Sequence, residues 1–209
     1  MTPGSLWLVP NTLDLGAPEV DIREVLPEGV LRRAASLAHW VAEDARTTRA
    51  FLKRVGAVIP LAQSIQATDI RELPRPRKGA PDSVDRAAWR ALLQPALDGH
   101  DIGLISEAGL PAVADPGAAL VAAAHEAGVP VRPLAGASAL LLALAASGLN
   151  GQSFAFVGYL PQEPGPRLER IRELESLSRR LRQTQLMIET PYRNAALLAA
   201  LLAGLSEST

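Results

Sequence analysis

The stretch 102–149, IGLISEAGLPAVADPGAALVAAAHEAGVPVRPLAGASALLLALAASGL, constrains the fold more than any other part of the chain. It reads as a short apolar strand, a Gly/Pro-rich loop carrying two acidic residues, a helix, a second strand, and a small-residue turn into another helix. That order is a βαβ unit, which demands a parallel sheet with helices packed on its faces. Open parallel sheets take their ligands at the loops that follow the strands. The function is therefore expected to be written in the loops after the strands of this segment.

The local chemistry fills in the detail. A strand is predicted over 101–105, broken by Ser106, Glu107, Ala108, Gly109, Leu110 and Pro111. Gly109 permits positive φ and a close approach of ligand to backbone. Pro111 and Pro116 stiffen the loop by fixing φ. Asp115-Pro116-Gly117 reads as a helix start, with Asp115 as N-cap and Pro116 at the first helical position. Ala119, Leu120, Ala123 and Ala124 carry the helix, Gly128 ends it, and the next strand is predicted over 129–131. Gly136 and Ser138 lie on the following turn, next to a further helix. Two adjacent turns of small residues make a backbone-lined pocket for a flat ligand with polar edges. On spacing alone, such turns serve equally well merely to reverse the chain. A dinucleotide-binding G-x-G-x-x-G and a P-loop are both absent.

The remaining elements follow from periodicity. Strands are predicted over 6–10, 39–43, within 57–64, and over 152–159 and 185–189; helices over 28–37, 46–55, 83–97 and 166–182, with a last one from Pro191 to Gly204. Leu168, Ile171, Leu174 and Leu181 form the buried stripe of the charged helix. The segment 72–81 reads as a surface loop. The apolar runs at 137–146 and 195–202 are too short to span a bilayer and read as buried helices. No signal peptide is expected from the N-terminus, and no membrane partner. The absence of cysteine excludes disulfides and cysteine metal sites and fits a reducing cytoplasm. His39, His100 and His125 have no metal-ligand spacing, so no metal is expected. A net charge of -1 gives no global case for nucleic acid. Local basic groups exist at Arg71, Arg75, Arg77 and Lys78, and at Arg46, Arg49, Lys53 and Arg54 on the early helix. Glu43-Asp44 fits either a general-base pair or a helix cap with Asp44 at the helix start, and spacing favours the cap.

Four segments in one order carry a family resemblance. SEAGLPAVADPG followed by PLAGASALLLALAASGL resembles the ribosomal RNA small subunit methyltransferase I family, within the wider tetrapyrrole methylase superfamily. LPEGVLRRAASLAHWVAEDARTTRAFLKRVG resembles its stretch with an Ala-Glu-Asp-x-Arg-x-Thr core, FAFVGYLP the strand that opens its second domain, and QLMIETPYRNAALLAALL its later strand and helix. SEAG, ADPG, NGQ and ETPYRN match a shorter branch of that family. Two departures stand out. The superfamily's glycine-rich first loop is VPNTLDLG here, and the usual Gly-Pro-Ser turn is Ala135-Gly136-Ala137-Ser138.

The resemblance implies an α/β fold of two α/β/α domains, over 1–134 and 135–209, with a cofactor cleft between them. The chain stops where the family's second domain normally continues, so that domain is expected to be partial. The implied cofactor is S-adenosylmethionine, held by Ser106, Glu107, Ala108, Gly109 and Val113 on one loop, Gly136, Ser138 and Ala139 on the next, and Glu189. Glu43 and Asp44 are the implied catalytic pair, with Glu107 a further base candidate. Arg46 and Arg193 are implied at the substrate. The implied reaction is 2'-O-ribose methylation of RNA in the small ribosomal subunit, in the cytoplasm. The 48% share of hydrophobic residues and the superfamily's habit point to a homodimer. Two alternatives stay open: a non-catalytic nucleoside- or RNA-binding module, and a methyltransferase for tetrapyrrole-type small molecules.

Overall fold

Alternation along three short central strands sorts the first part of the chain into layers. The computed structural model describes residues 2–14, 17–74, 86–207 and 209. The chain divides into two compact units, Met1–Ala139 and Leu140–Thr209. In the first, five parallel strands run in the order β3-β2-β4-β1-β5, with β1 at Leu6–Leu8, β2 at His39–Ala42, β3 at Asp69–Glu72, β4 at Ile102–Ile105 and β5 at Val131–Pro133. Trp40 and Ala42 of β2 and Ile105 of β4 join the core on one face. Val41, Ile102 and Leu104 join the core on the other. The first face is covered by α1 (Ile22–Val25), α2 (Glu28–Ser36) and α3 (Ala45–Gly56) through Val30, Leu31, Phe51 and Leu52. The second is covered by α4 (Arg86–Leu97) and α5 (Ala118–Glu126) through Leu93, Leu120 and Ala124. The result is an α/β/α sandwich, in which strands buried on both sides are apolar almost throughout.

Three expectations need correction in this unit. No strand forms within 57–64: the N–H groups of Val58 and Ile59 close the end of α3 on Val55 O, at 3.0 and 2.9 Å, and have nothing left for a ladder. The strand comes later as β3, whose Asp-Ile-Arg-Glu sequence suits a charged sheet edge. The helix after the central loop starts at Ala118 rather than at Pro116. Its N-cap is Gly117 at φ 126°, with no side-chain cap, so Asp115 is not the capping residue. That helix ends at Gly128 (φ 69°), with Gly128 N–H on His125 O and Val129 N–H on Ala124 O, the paired bonds of a Schellman motif. These bonds hold the chain in a turn through Val129 and delay β5 to Val131.

The second unit begins within α6 (Ala139–Ser147) and pairs two parallel strands, β6 (Phe154–Tyr159) and β7 (Thr184–Ile188). Helices α7 (Pro164–Leu181) and α8 (Asn194–Gly204) pack through Ile171, Leu174 and Leu197, with Leu177 and Met187 beside them. Gly204 permits the close crossing, since a Cβ there would sit 2.8 Å from Leu168 Cδ1. Leu181 is 53% exposed, so the buried stripe of α7 turns through Leu177 instead. The apolar helices α6 and α8 are also less covered than their composition suggests. Leu142 and Leu202 are 57% and 76% exposed, and Leu144 and Leu197 are the buried members. No helix among the described residues is long and apolar enough to cross a membrane.

Candidate active site

The loops at the carboxyl ends of β1, β2, β4 and β5 converge, and the sequence between them is built for close approach. Asn11, just after β1, is buried and ties two loops together. Its Nδ2 donates to Ser106 O at 3.2 Å and to Glu107 O at 2.9 Å, and its backbone N–H donates to Gly109 O at 2.8 Å. Gly109 N–H returns a bond to Thr12 O at 3.3 Å. Gly109 has φ 67°, a conformation that strains any residue bearing a Cβ. A Cβ added there would lie 3.3 Å from Leu13 Cδ2 and 3.6 Å from Ala137 O. Gly136 is more constrained still: its Cβ would fall 2.2 Å from Pro10 Cβ. The loops after β1, β4 and β5 therefore meet along a close-packed seam that leaves no room for a side chain at Gly136.

Acidic groups gather beside this seam. Glu43 follows β2 and docks by its own N–H to Ile105 O at 3.1 Å. Its Oε2 accepts the Glu107 N–H at 3.2 Å. Asp115 lies near both carboxylates, and burial, then the charges of Glu43 and Glu107, push its carboxyl up to about 6. Asp44 plays a different part. It is the N-cap of α3, its Oδ1 accepting the Thr47 N–H at 2.7 Å, and these bonds hold its carboxyl below the usual range. Ser106 is buried and its Oγ has no hydrogen-bond partner among the described residues. Ser138 is buried on the loop after β5, Ala139 opens α6, and Val113 is 45% exposed. No group of three or more His, Asp or Glu among the described residues is placed to hold a metal ion.

The atypical first loop is closed by a salt bridge. Arg54 of α3 donates to Asp14 Oδ2 at 2.9 Å, to Thr12 Oγ1 at 2.9 Å and to Val20 O at 2.8 Å. Arg54 and these hydrogen bonds hold Asp14 well below the ordinary carboxylate range. Arg54 is thus an internal clamp and leaves the basic face of its helix, which keeps Arg46, Arg49 and Lys53, all exposed. A cavity of about 210 Å³ lies between this loop and α3, lined by Asn11, Thr12, Thr47, Phe51 and Glu107 among others. Arg71 pairs with Asp69 at 3.0 Å on β3, and Arg75, Arg77 and Lys78 lie outside the described residues.

In the second unit the ETPYR segment folds onto itself. Glu189, its side chain 2% exposed, accepts Arg193 Nη2 at 2.6 Å and Nε at 2.8 Å and the Thr190 N–H at 2.8 Å, contacts that keep its carboxyl below the usual range. Sequence reasoning missed the roles of Asn11 and Asp115. The signal for Asn11 was a buried-type strand ending in an isolated amide, and the one for Asp115 was a second carboxylate in an otherwise apolar loop.

Comparisons with known proteins agree with this architecture. Residues 29–209 match the family model described as Tetrapyrrole (Corrin/Porphyrin) Methylases. The chain is 37% identical over 205 residues to a ribosomal RNA small subunit methyltransferase I from Micromonospora olivasterospora, covering 98% of this chain and 56% of that protein. It is 32% identical over 202 residues to a protein of the same name from Xylella fastidiosa, covering 96% of this chain and 63% of that one. The chain thus spans somewhat over half the length of these curated relatives. Among solved structures, the native form of uroporphyrin III C-methyl transferase from Thermus thermophilus matches with a TM-score of 0.49 at 19% identity, covering 96% of this chain and 76% of that one. With the family model matched over most of its length and the parallel α/β layers it leads one to expect, the chain belongs to the tetrapyrrole (corrin/porphyrin) methylase family.

Proposed function

We propose that the protein is an S-adenosylmethionine-dependent methyltransferase that modifies a ribose 2'-hydroxyl of RNA in the small ribosomal subunit. The observation that supports it most is the close-packed glycine seam at Gly109 and Gly136, bordered by the Asp115 carboxyl, which is pushed up to about 6. The residues present suit the cofactor. Gly109 and Gly136 let the loops after β1, β4 and β5 pack directly against one another and bring their backbones together, and the buried Ser106 Oγ has no partner among the described residues. Ser106, Glu107, Ala108, Gly109 and Val113, with Gly136, Ser138 and Ala139, are the residues we assign to hold it, largely through backbone groups. When bound, the cofactor supplies an electrophilic methyl group.

The chain's own part is to orient the acceptor hydroxyl and to take its proton. Holding reactants in line accounts for much of the rate gain in such a transfer. Asp115, poised near the working pH, is the base we assign, with Glu43 and Glu107 raising its proton affinity. Asp44 is spent on capping α3 and is not proposed as a base. Arg46 and Arg193 are proposed to meet substrate phosphates. Two copies are proposed to associate through the apolar side chains left exposed on α6 and α8, such as Leu142, Leu198 and Leu202, and the reading sets the protein in the cytoplasm with its ribosomal substrate.

Titration calorimetry with S-adenosylmethionine, followed by methyl transfer to small ribosomal subunits, tests the reading. Wild type is expected to bind and to transfer, and Gly109→Val to lose most of its affinity. Equal affinity in Gly109→Val refutes this placement of the cofactor. No binding by wild type favours a non-catalytic binding module, and transfer to a tetrapyrrole in place of RNA overturns the substrate.

A further inference from the structure

Both tyrosines of the chain, Tyr159 and Tyr192, stand at the same edge of the second unit, the carboxyl end of its parallel strand pair. Both are exposed, at 55% and 83%. Exposed aromatic rings at the carboxyl end of a parallel strand pair call for a cause, and each has a device that aims it.

For Tyr159 the device is a bulge. The β6–β7 register runs Phe154↔Thr184, Phe156↔Leu186 and then Tyr159↔Ile188. One extra residue is therefore spent on β6 before the last pair, where Gly158 takes φ 71°. In a regular strand Tyr159 would share the face of Val157, which packs with Met187 against the helices. The extra residue turns it to the opposite face, with the half-exposed Phe154 and Phe156. Bulges re-aim side chains in this way next to functional sites.

For Tyr192 the device is a rigid neighbour. It lies on the short turn Pro191–Arg193 that follows β7. The Arg193 guanidinium sits 5.6 Å from the ring centroid, within cation–π range. That guanidinium is held by two bonds to the deeply buried Glu189 carboxylate. The ring is thus presented to solvent beside a guanidinium fixed in place by its ion pair with Glu189.

We infer that Tyr159 and Tyr192 form a stacking platform for unpaired RNA bases, with Arg193 drawing in the adjoining phosphate. Unstacked bases are the part of RNA that proteins read, and aromatic faces accept them whatever their sequence. The inference rests on the proposed RNA substrate and names which form of RNA this edge accepts: single-stranded, not duplex.

The test uses fluorescence titration of the full chain with an unstructured oligoribonucleotide carrying 2-aminopurine, and with a paired duplex of the same length. Tyr159→Ala and Tyr192→Ala are each expected to weaken single-strand binding about tenfold and to leave duplex binding unchanged. Tyr159→Phe and Tyr192→Phe should bind like wild type, since the ring face is what matters. In methyl transfer the alanine variants should raise KM for small subunits at unchanged S-adenosylmethionine affinity. Single-strand affinity equal to wild type in the double alanine variant overturns the inference, as does a dimer that falls to monomer in that variant, which would make the rings an interface. Methyl transfer to RNA by wild type with no tyrosine dependence sinks the platform alone. Tyrosine-dependent oligonucleotide binding without any methyl transfer to RNA sinks the proposed reaction and leaves the platform standing.

Discussion

Asp115 is the residue on which pH acts first. Its carboxyl is pushed up to about 6 by burial and by the charges of Glu43 and Glu107. A base must be ionised to accept a proton, so kcat/KM for methyl transfer should rise about tenfold per pH unit below 6 and level off above 7. Asp115→Asn should lower the rate by about 10²- to 10⁴-fold and abolish that acid limb. The same group makes a separate claim on stability. Between the unfolded pKa near 4 and the folded value near 6, the folded chain holds a proton that the unfolded chain has lost. Stability contributed by Asp115 therefore falls as pH rises through that window, and the penalty persists above it. Urea unfolding of Asp115→Asn should show a gain of about 1 kcal/mol at pH 8, after allowance for solvent screening, and none at pH 4. A rate that keeps its acid limb in Asp115→Asn assigns the base elsewhere. No gain at pH 8 means the carboxyl is not perturbed.

The loop between β4 and α5 is the element that carries the most strain. Ala112 and Ala114 both hold positive φ, at 65° and 63°, and Gly117 follows at 126°. Each left-handed alanine costs roughly 1–2 kcal/mol, and such strain gathers where a loop is held for a ligand. Ala112→Gly and Ala114→Gly should thus raise the thermal midpoint or leave it level, while calorimetry shows weaker S-adenosylmethionine binding because the loop is less pre-organised. A lowered midpoint in both would show that the alanine methyls pack usefully and that the strain is small. This loop also marks how far the sequence could be read. The strands around it were legible because Trp40, Val41, Leu104 and Ile105 alternate between two buried faces, and α2 and α3 because their apolar residues recur at helical spacing. Asp115-Pro116-Gly117 misled, since it looks like a cap locally, while the fold turns Gly117 to positive φ and lets the carboxyl join acids from other loops. The Asn11 bonds were illegible for a related reason: they join groups 95 and 96 positions apart, which no local pattern records. β3 hid because an edge strand needs only Ile70 on its inner side.

At the scale of the whole molecule, one exposed basic face lies on the side of the first unit's sheet where the strand ends gather. A net charge of -1 provides no general attraction, so RNA contact must be local. Arg54 is turned inward to Asp14, and Arg71 is paired with Asp69. What remains on α3 is Arg46, Arg49 and Lys53, all exposed and spaced three and four apart, so they share a helix face. That face rises from the loop that bears Glu43, on the side of the sheet where the strand ends gather. If three phosphates rest on it, replacing all three residues with glutamate should weaken binding to small ribosomal subunits. The slope of log affinity against log salt should become shallower by about 2 to 3, the number of counterions no longer released. S-adenosylmethionine affinity should not change, because none of the three lies on the glycine seam. Filter binding across a salt series, paired with calorimetry, reads both quantities. An unaltered salt slope would show that α3 faces solvent in the complex and that phosphates dock elsewhere, whereas a lost cofactor affinity would mean the substitutions had disturbed the Asp44 cap and with it the start of α3.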